Sequence, residues 1–418
     1  MNKLSVKGAK KLKGSVHVHG AKNAVLPILA ATLLTEGEVV LDNVPQLSDV
    51  DVFCQILRSM GVKINREGAV ITICADSLHF QADPDSALSR RLRASNLLLG
   101  PLLARAGKAR LVFPGGCAIG SRPMDYHIKA LEAMGARVFL TDGCIEAACN
   151  GLYGAEIYFD FPSVGATENA LLAAVLACGD SVIKNAAREP EVVDLARFLR
   201  ACGADIRGAG TDTIYIKGVK ALFGCNHKVM SDRIEAGTLL CAAAITGGDI
   251  LLSGYDGGCL AALLHKLGDC GCSLSQTAQG LRLSAPKRLK GVDIRTQPYP
   301  GFPTDMQPQM MALLSVADGS SLITESIFEN RFRHAGELAR MGADIKVVGE
   351  VARIIGKPNL MGAVVEAADL RAGAALVLAA MAAEGESLIS GVEYIDRGYQ
   401  SLEKSLSLLG AEIDRIED

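Results

Sequence analysis

A unit of 68 to 74 residues recurs along the chain, and this repeat limits the folds open to it. Each copy holds an apolar, helix-like run that ends in Leu-x-x-x-Gly and is followed by a strand-like run. The six patterns begin at Leu57, Leu131, Leu199, Leu267, Leu338 and Leu406, and their glycines are spaced by 74, 68, 68, 71 and 68 residues. Such spacing predicts six copies of one supersecondary unit.

A second signature alternates with the first. Segments rich in Ala and Leu lead into glycines that are each followed by a short strand-like run, at Gly37, Gly107, Gly179, Gly248, Gly319 and Gly385. A glycine after a helix suits the left-handed C-terminal cap, which residues with a Cβ adopt at a cost. Each unit is therefore predicted to contain two helices and several strands.

The length of the units decides how they assemble. Solenoid repeats are roughly 20 to 50 residues long, so units of this size favour two globular domains of three units each. We place the first domain at residues 22–229 and the second at residues 1–21 plus 230–418, with the leading strand-like segment, residues 5–19, closing the second. Ala372–Ala383 is apolar nearly all round, which is typical of a buried helix. The predicted fold class is α/β, with two inverse α/β barrel-like domains whose helices are buried and whose strands lie outside.

Composition excludes several functions. The net charge is −3, aromatic residues make up 5% and Trp is absent, which argues against nucleic-acid binding. No apolar run reaches the roughly 20 residues that span a bilayer, and the first residues lack the apolar run of a signal peptide. We expect a cytoplasmic protein without membrane insertion. Of its twelve cysteines, most are predicted to be small core residues in a reducing compartment, as at Cys74, Cys178, Cys202 and Cys241.

Basic residues stand where the buried helices are predicted to begin. An Arg at a helix N-terminus is unfavourable for the helix, whereas the free N–H groups there attract anions. Taken singly, each Arg is explained as well by a solvated surface position. Together with basic residues in the loops, the pattern predicts a site that binds a phosphate and a carboxylate, formed by Lys22, Arg93, Arg122, Arg331, Arg371 and Arg397.

Cys117 differs from the other cysteines because it lies in a loop with two prolines and three glycines, residues 113–123. An unperturbed thiol is mostly protonated at neutral pH, so it can act as a general acid, and a nearby Arg122 can make it a nucleophile. Asp305 is predicted in the first turn of a helix, where an acid can simply cap the helix. Asp49 is interpreted as a cap only.

These residues lie in motifs that resemble the enolpyruvyl transferase family. The matching segments are Gly20-Ala-Lys-Asn-Ala24, Pro114-Gly-Gly-Cys-Ala-Ile-Gly-Ser-Arg-Pro123, Asn185-Ala-Ala-Arg-Glu-Pro190, Phe302-Pro-Thr-Asp-Met306 and Ile395-Asp-Arg-Gly-Tyr399. The likeness is to members that act on UDP-N-acetylglucosamine, and it runs from Lys3 to Ile416. It implies two inverse α/β domains with the active site between them. It also implies transfer of the enolpyruvyl group of phosphoenolpyruvate to the 3′-hydroxyl of UDP-N-acetylglucosamine, the first committed step of peptidoglycan synthesis.

The resemblance also implies residue roles. Cys117 would protonate phosphoenolpyruvate, form a covalent adduct with it and be the residue that fosfomycin alkylates. Asp305 would be the base for the sugar hydroxyl and for the later elimination. Lys22, Arg122 and Arg397 would hold the phosphate, with Lys22 and Arg397 also catalytic, and Arg331 and Arg371 the carboxylate. Neither a cofactor nor a metal is implied, and no oligomer is required. The remaining substrate contacts would be Asn23, Arg93, Pro123, Met124, Asp125, Tyr126, Ser163, Val164, Gly165 and Ile327.

The chain departs from one branch of the family before Ser163. That branch has Lys-Val where this chain has Phe161-Pro162, and a Phe can pack on a uracil ring but cannot pair with a diphosphate. Three alternatives stay open: the sister reaction on shikimate 3-phosphate, a non-catalytic paralogue that binds a nucleotide sugar, and an RNA-processing enzyme on a related scaffold. The loop thiol and the Lys22-Asn23 pair argue against the first of these. The intact Cys117 and Asp305 argue against the second, and the mild acidity and few aromatic residues against the third.

Overall fold

A computed structural model describes residues 2–8, 10–77, 86–112 and 124–416. Its α-helices are α1 (Lys22–Ala31), α2 (Ser48–Ser59), α3 (Ser86–Arg91), α4 (Leu99–Ala106), α5 (Asp125–Ala133), α6 (Val164–Ala174), α7 (Pro190–Ala201), α8 (Arg233–Ile245), α9 (Ala261–Asp269), α10 (Gln307–Leu314), α11 (His334–Arg340), α12 (Leu370–Ala382), α13 (Val392–Ile395) and α14 (Leu402–Leu408). Short 3-10 helices cover Thr32–Leu34, Arg93–Leu98, Gly258–Leu260 and Thr304–Met306.

The strands are short, and most have five residues. They are β1 (Lys3–Lys7), β2 (Lys13–His17), β3 (Thr35–Glu36), β4 (Glu38–Asp42), β5 (Lys63–Glu67), β6 (Val70–Cys74), β7 (Lys108–Val112), β8 (Arg137–Thr141), β9 (Cys144–Ala148), β10 (Glu156–Tyr158), β11 (Asp180–Lys184), β12 (Asp205–Arg207), β13 (Thr213–Lys217), β14 (Leu222–Phe223), β15 (Asn226–Lys228), β16 (Asp249–Ser253), β17 (Ser273–Thr277), β18 (Gly280–Ser284), β19 (Ile294–Arg295), β20 (Ser320–Thr324), β21 (Asp344–Val348), β22 (Val351–Ile355), β23 (Leu360–Met361), β24 (Val364–Glu366), β25 (Ala383–Glu384), β26 (Glu386–Ser390) and β27 (Glu412–Ile416).

The described residues divide into two compact units. One contains the residues up to His19 and those from Ser231 onwards, and the other contains the residues from Gly20 to Met230. Each unit has its own hydrophobic core. For brevity we call them the terminal unit and the central unit.

The sheets repeat one pattern of pairing. In five of them a parallel pair is extended by two antiparallel strands: β15-β4-β6-β5, β10-β11-β13-β12, β2-β16-β18-β17, β19-β20-β22-β21 and β24-β26-β1-β27. A sixth sheet, β7-β9-β8, shows three strands of it. In the last repeat β1 occupies the third position, between β26 and β27. The first strand of the chain thus completes the last sheet.

Helices alternate between two kinds. Every residue of α8 and α10 is buried, and α1 is buried except at Asn23. By contrast, α2 and α7 bury one face only, and strands such as β4 and β22 alternate between buried and exposed side chains. The predicted fold class, α/β with buried helices and outer strands in repeated units, is confirmed. The helix predicted at Ala372–Ala383 is α12, which is buried except at its first and last residues.

Several details of the sequence analysis are wrong. Of the six glycines predicted to cap helices, Gly107 caps α4 with φ 68°, as predicted. Four others have positive φ but lie beyond the cap residues of the preceding helices, which are Thr35, Val175, Ser315 and Ala383: Gly37, Gly179, Gly319 and Gly385. In the Gly247-Gly248 pair the left-handed residue is Gly247, with φ 65°. A Cβ on Gly248 would lie 2.4 Å from the carbonyl oxygen of Leu12, so this glycine allows a close backbone approach instead. Cys178, predicted in the core, is exposed, and Cys74 is only partly buried. Cys202 and Cys241 are buried as predicted.

Candidate functional site

One carboxylate and two guanidinium groups form a compact cluster in the terminal unit. Arg331 Nη2 donates to Asp305 Oδ1 at 2.9 Å, and Arg371 donates to Asp305 Oδ2 through Nε at 3.1 Å and Nη2 at 3.0 Å. Both arginines are 3% exposed, whereas the Asp305 side chain is 28% exposed. Asp305 lies in a 3-10 turn before α10, whose cap position is Met306. Its carboxylate accepts hydrogen bonds from both arginines, and solvent still reaches it.

Arg371 is held by the residues around it. Asp369 caps α12, because its side chain accepts from the N–H groups of Arg371 and Ala372, both at 2.9 Å. The guanidinium carbon lies 5.3 Å from the centroid of the Tyr399 ring, a cation–π distance. Burial raises the pKa of Tyr399, so its phenol stays neutral. The Tyr399 ring thus lies under one face of the Arg371 guanidinium, and the Asp305 carboxylate accepts hydrogen bonds at its edge.

The Tyr399 hydroxyl belongs to a buried polar network. It lies 2.9 Å from Thr238 Oγ1. Gln309 Nε2 donates to the Tyr399 hydroxyl at 3.2 Å and to Thr238 Oγ1 at 3.1 Å. All three side chains are at most 1% exposed. Hydrogen bonds between buried polar groups are strong and restrict the conformations of the side chains that make them. The network fixes the ring on which Arg371 rests, and the sequence analysis did not identify Thr238 or Gln309.

Glu325 anchors the loop that carries Ile327 and Arg331. Its Oε1 accepts from Thr296 Oγ1 at 2.9 Å and from the N–H of Ile327 at 3.0 Å. Its Oε2 accepts from Thr304 Oγ1 at 2.9 Å, beside Asp305 in the chain. Burial raises the pKa of Glu325. One buried side chain thereby joins the Asp305 turn to the Arg331 loop.

Arg397 follows the short helix α13 and is half-buried. The preceding residue, Asp396, accepts from Arg415 Nη2 and Nη1, both at 2.8 Å. This bidentate pair holds the turn in which Arg397 lies.

In the central unit, Lys22 begins α1 and forms an ion pair with Asp49. Lys22 Nζ lies 2.6 Å from Asp49 Oδ2, and their side chains are 9% and 7% exposed. The interpretation of Asp49 as only a cap is wrong: it lies one residue inside α2, whose cap position is Leu47, and its carboxylate faces Lys22. Asn23, next to Lys22, is exposed. The pairing was missed because a first-turn acid already has a local explanation.

The segment from Ser163 to Gly165 forms the start of α6. Ser163 caps the helix, since its Oγ accepts from the N–H of Ala166 at 3.4 Å, and Val164 and Gly165 are half-buried. A Cβ on Gly165 would lie 2.9 Å from His127 Nε2, so only glycine leaves room for that ring. His127 is 5% exposed, and no hydrogen-bond partner is found for either ring nitrogen among the described residues.

Other predicted contacts surround this segment. Met124 precedes α5, is buried and accepts a hydrogen bond on its sulfur from Asn96 Nδ2 at 3.3 Å. Asp125 is exposed at the first position of α5, and Tyr126 packs on Phe159 with ring centroids 5.8 Å apart. Arg93 begins a 3-10 helix and is half-buried. Burial, and to a lesser extent the charge of Arg93, lowers the pKa of His127 to about 4, whereas the charge of Asp125 raises it.

Three predicted site residues are not among those that the structure describes. Cys117, Arg122 and Pro123 lie outside the described residues. The convergence of six basic residues includes Arg122 and involves both units, so it stays a prediction. Within the described ranges, no group of three or more His, Cys, Asp or Glu residues is arranged to hold a metal ion. No helix in those ranges is long and apolar enough to cross a membrane.

Comparison with known proteins gives full-length matches. The family profile that matches residues 6–406 is described as EPSP synthase (3-phosphoshikimate 1-carboxyvinyltransferase). UDP-N-acetylglucosamine 1-carboxyvinyltransferase 1 of Caldanaerobacter subterraneus subsp. tengcongensis is 50% identical over 413 residues, which cover 99% of each chain. The protein of the same name from Symbiobacterium thermophilum is 52% identical over 98% of this chain and 94% of its own. The chain belongs to the UDP-N-acetylglucosamine 1-carboxyvinyltransferase family, a group of enolpyruvyl transferases.

Solved structures agree on the fold of this enolpyruvyl transferase. The crystal structure of the enolpyruvyl transferase NikO from Streptomyces tendae superposes with a TM-score of 0.89 at 27% identity and covers 99% of both chains. EPSP synthase from Acinetobacter baumannii superposes with a TM-score of 0.77 at 22% identity, a likeness of fold alone. The predicted family is confirmed. Phe161, where the chain departs from one branch of the family, is 45% exposed.

Proposed function

We propose that this chain transfers the enolpyruvyl group of phosphoenolpyruvate to the 3′-hydroxyl of UDP-N-acetylglucosamine and releases phosphate. This reaction is the first committed step of peptidoglycan synthesis, and the proposal includes the cytoplasmic location expected from the sequence. The arrangement of Asp305, Arg331 and Arg371 carries the proposal within the structure. The names of relatives at 50% identity over the whole chain support the substrates.

The arginine cluster fits the carboxylate of phosphoenolpyruvate. Both guanidiniums already hold a carboxylate, that of Asp305, with charge-assisted hydrogen bonds. A substrate carboxylate has the same shape and charge and would take over some of these hydrogen bonds. Asp305, the partly exposed member of this cluster, would then be released to accept the proton of the sugar hydroxyl. Substrate binding and activation of the base are coupled in this scheme.

The chemical steps follow from the assigned roles. Cys117 donates a proton to the methylene carbon of phosphoenolpyruvate, and the sugar oxygen attacks the neighbouring carbon while Asp305 takes its proton. Asp305, after passing its first proton to solvent, takes a proton from the new methyl group, the C–O bond to phosphate breaks, and the double bond is restored in the product. Lys22, Arg122 and Arg397 hold the phosphate group through both steps. Fixed cations stabilise the charges that change in such a reaction more effectively than water does.

The substrate specificity is tested by phosphate release. Purified protein is given phosphoenolpyruvate with UDP-N-acetylglucosamine or, separately, with shikimate 3-phosphate. We expect release with the first acceptor only. Absence of release with UDP-N-acetylglucosamine would refute the proposal, and release with shikimate 3-phosphate would assign the sister reaction.

The role of Cys117 needs its own variants. Cys117→Ser should abolish turnover and alkylation by fosfomycin, because a hydroxyl is a far weaker acid than a thiol. Cys117→Asp should retain turnover and lose fosfomycin alkylation, because a carboxyl can donate a proton. Full activity of the Ser variant would remove Cys117 from the mechanism, and an inactive Asp variant would contradict a role as proton donor.

A further inference from the structure

One backbone hydrogen bond recurs in five of the repeats and defines equivalent positions. The carbonyl of the residue before the repeat glycine accepts from an N–H of a connecting segment, which follows it in the chain in four repeats and lies near the start of the chain in the last. The bonds run from Tyr153 to Met134, Phe223 to Cys202, Lys290 to Cys270, Met361 to Met341 and Lys13 to Leu409, at 2.8 to 3.0 Å. The residue two positions after each donor is therefore also equivalent. The resulting pairs are Met134/Ala155, Cys202/Cys225, Cys270/Val292, Met341/Ala363 and Leu409/Ser15. Of these five pairs, only Cys202/Cys225 consists of two thiols.

The two sulfur atoms of this pair are in contact. Cys202 Sγ and Cys225 Sγ lie 3.4 Å apart. Cys202 ends α7 and is 1% exposed, and Cys225 lies between β14 and β15 and is half-buried. The backbone is held on both sides, since Phe223 N donates to Cys202 O and Val40 N to Cys225 O, both at 2.9 Å. A disulfide has an S–S distance of about 2.05 Å, so closure needs a movement of about 1.4 Å.

The two thiols differ in reactivity. The hydrogen bond with Cys202 lowers the pKa of Cys225, and the nearby His227 adds to this effect. The same hydrogen bond, together with burial, raises the pKa of Cys202. His227 Nε2 lies 3.3 Å from Asp194 Oδ1. Cys225 is thus the accessible nucleophile, and Cys202 is the buried thiol in reach of it.

We propose that Cys202 and Cys225 are a modification site, at which a hydroperoxide oxidises the two thiols to a reversible disulfide. The Cys225 thiolate attacks a peroxide oxygen, the O–O bond breaks, and a sulfenic acid forms with loss of water. The Cys202 sulfur then attacks the Cys225 sulfur, the S–O bond breaks, and hydroxide leaves with the Cys202 proton as a second water. Two thiols are oxidised by two electrons in total, and hydrogen peroxide is reduced to two waters. A dithiol reverses the reaction by exchange.

The disulfide would join the end of α7 to the connection that precedes β15. Because β15 pairs with β4 of the first repeat, it completes the first sheet of the central unit. A crosslink restricts the unfolded chain, so the oxidised protein should unfold at a higher temperature than the reduced protein. None of these residues belongs to the candidate substrate site, so the inference does not depend on the proposed function.

The test maps the link in the full-length protein. Reduced wild type and a Cys225→Val variant are treated with hydrogen peroxide, alkylated, digested without reduction and analysed by mass spectrometry. Val stands at the equivalent position 292 beside Cys270, so the variant recreates a pairing that the fold already contains. We expect a peptide linked through positions 202 and 225 in wild type, its loss in the variant, and no link from Cys270. Dithiothreitol should remove the link.

A second measurement tests the consequence for stability. The melting temperature of oxidised wild type should lie above that of the reduced protein, and that of Cys225→Val should not respond to peroxide. Recovery of Cys202 and Cys225 as separately alkylated thiols after peroxide would overturn the proposal. So would oxidation of Cys225 to a sulfinic acid without a link, or links that join other cysteines instead. A Cys202→Met variant, which carries the residue found at positions 134 and 341, provides an independent second loss of the link.

Discussion

The two units hold charges at the starts of their buried helices in different ways. In the central unit Lys22 faces Asp49, and both side chains are buried. In the terminal unit one partly exposed carboxylate, Asp305, holds the buried Arg331 and Arg371. A buried carboxylate is costly to displace, because both partners of a buried pair have lost their water. The partly exposed Asp305 should be displaced more easily, and we therefore expect an incoming anion to exchange partners in the terminal unit.

Replacing Asp305 gives the largest expected effect. Asp305→Asn keeps the shape but removes the base and the charge that competes for the arginines. Turnover should fall by about a thousandfold, within the usual contribution of general acid–base catalysis. The KM for phosphoenolpyruvate should fall as well, since Arg331 and Arg371 lose their competing carboxylate. Steady-state phosphate release measures both quantities.

The matched control is Asp344→Asn, which removes a surface carboxylate 3.1 Å from Lys357. It should leave both quantities unchanged. Wild-type turnover in Asp305→Asn would show that Asp305 is not the base, and a raised KM would show that it does not compete with substrate.

A buried histidine in each unit provides a second comparison, by pH. Burial is the main cause that lowers the pKa of His127 and of His334 to about 4. Arg93 acts in the same direction on His127, and Arg331 on His334, against Asp125 and Asp369 respectively. Unfolding frees each ring to bind a proton near pH 6.5. The stabilisation from the neutral rings is therefore complete above pH 6.5 and is lost as the pH falls to 4, by about 3 kcal/mol for each ring.

Urea unfolding between pH 7.5 and 4.5 measures this loss. His127→Gln should flatten the pH dependence of the central unit, and His334→Gln that of the terminal unit. Curves parallel to that of the wild type would show that neither ring is forced to stay neutral in the folded protein.

Arg371→Lys tests the terminal cluster directly. Lys keeps the charge but lacks the fixed pair of donors, Nε and Nη2, that Arg371 directs at Asp305 Oδ2. The KM for phosphoenolpyruvate should rise by roughly ten- to a hundredfold, which corresponds to the loss of a charge-assisted hydrogen bond. The KM for UDP-N-acetylglucosamine should stay within about twofold of wild type if the loss is confined to the carboxylate contact. An equal rise of both values would indicate a folding defect instead.

The sequence predicted the fold well because its signals are local. Helices that are apolar all round, and glycines that adopt a left-handed conformation before a strand, follow from the chemistry of single segments. The pairing of Lys22 with Asp49, and of Asp305 with residues 26 and 66 positions later, depends on tertiary structure. The error between Gly247 and Gly248 has a local cause, because either of two adjacent glycines can adopt the left-handed conformation.

Tyr399 gives the smallest expected effect and separates two ways of supporting Arg371. Tyr399→Phe keeps the ring under the guanidinium but loses the hydroxyl that joins Thr238 and Gln309. The free energy of unfolding should fall by about 1 kcal/mol, a typical value for one buried hydrogen bond, and the KM for phosphoenolpyruvate should stay nearly unchanged.

Tyr399→Leu also removes the cation–π contact and should raise the KM for phosphoenolpyruvate severalfold, while the KM for UDP-N-acetylglucosamine stays the same. A normal KM in Tyr399→Leu would show that Asp305 and the cap at Asp369 suffice to position Arg371. A raised KM already in Tyr399→Phe would assign that role to the hydroxyl network.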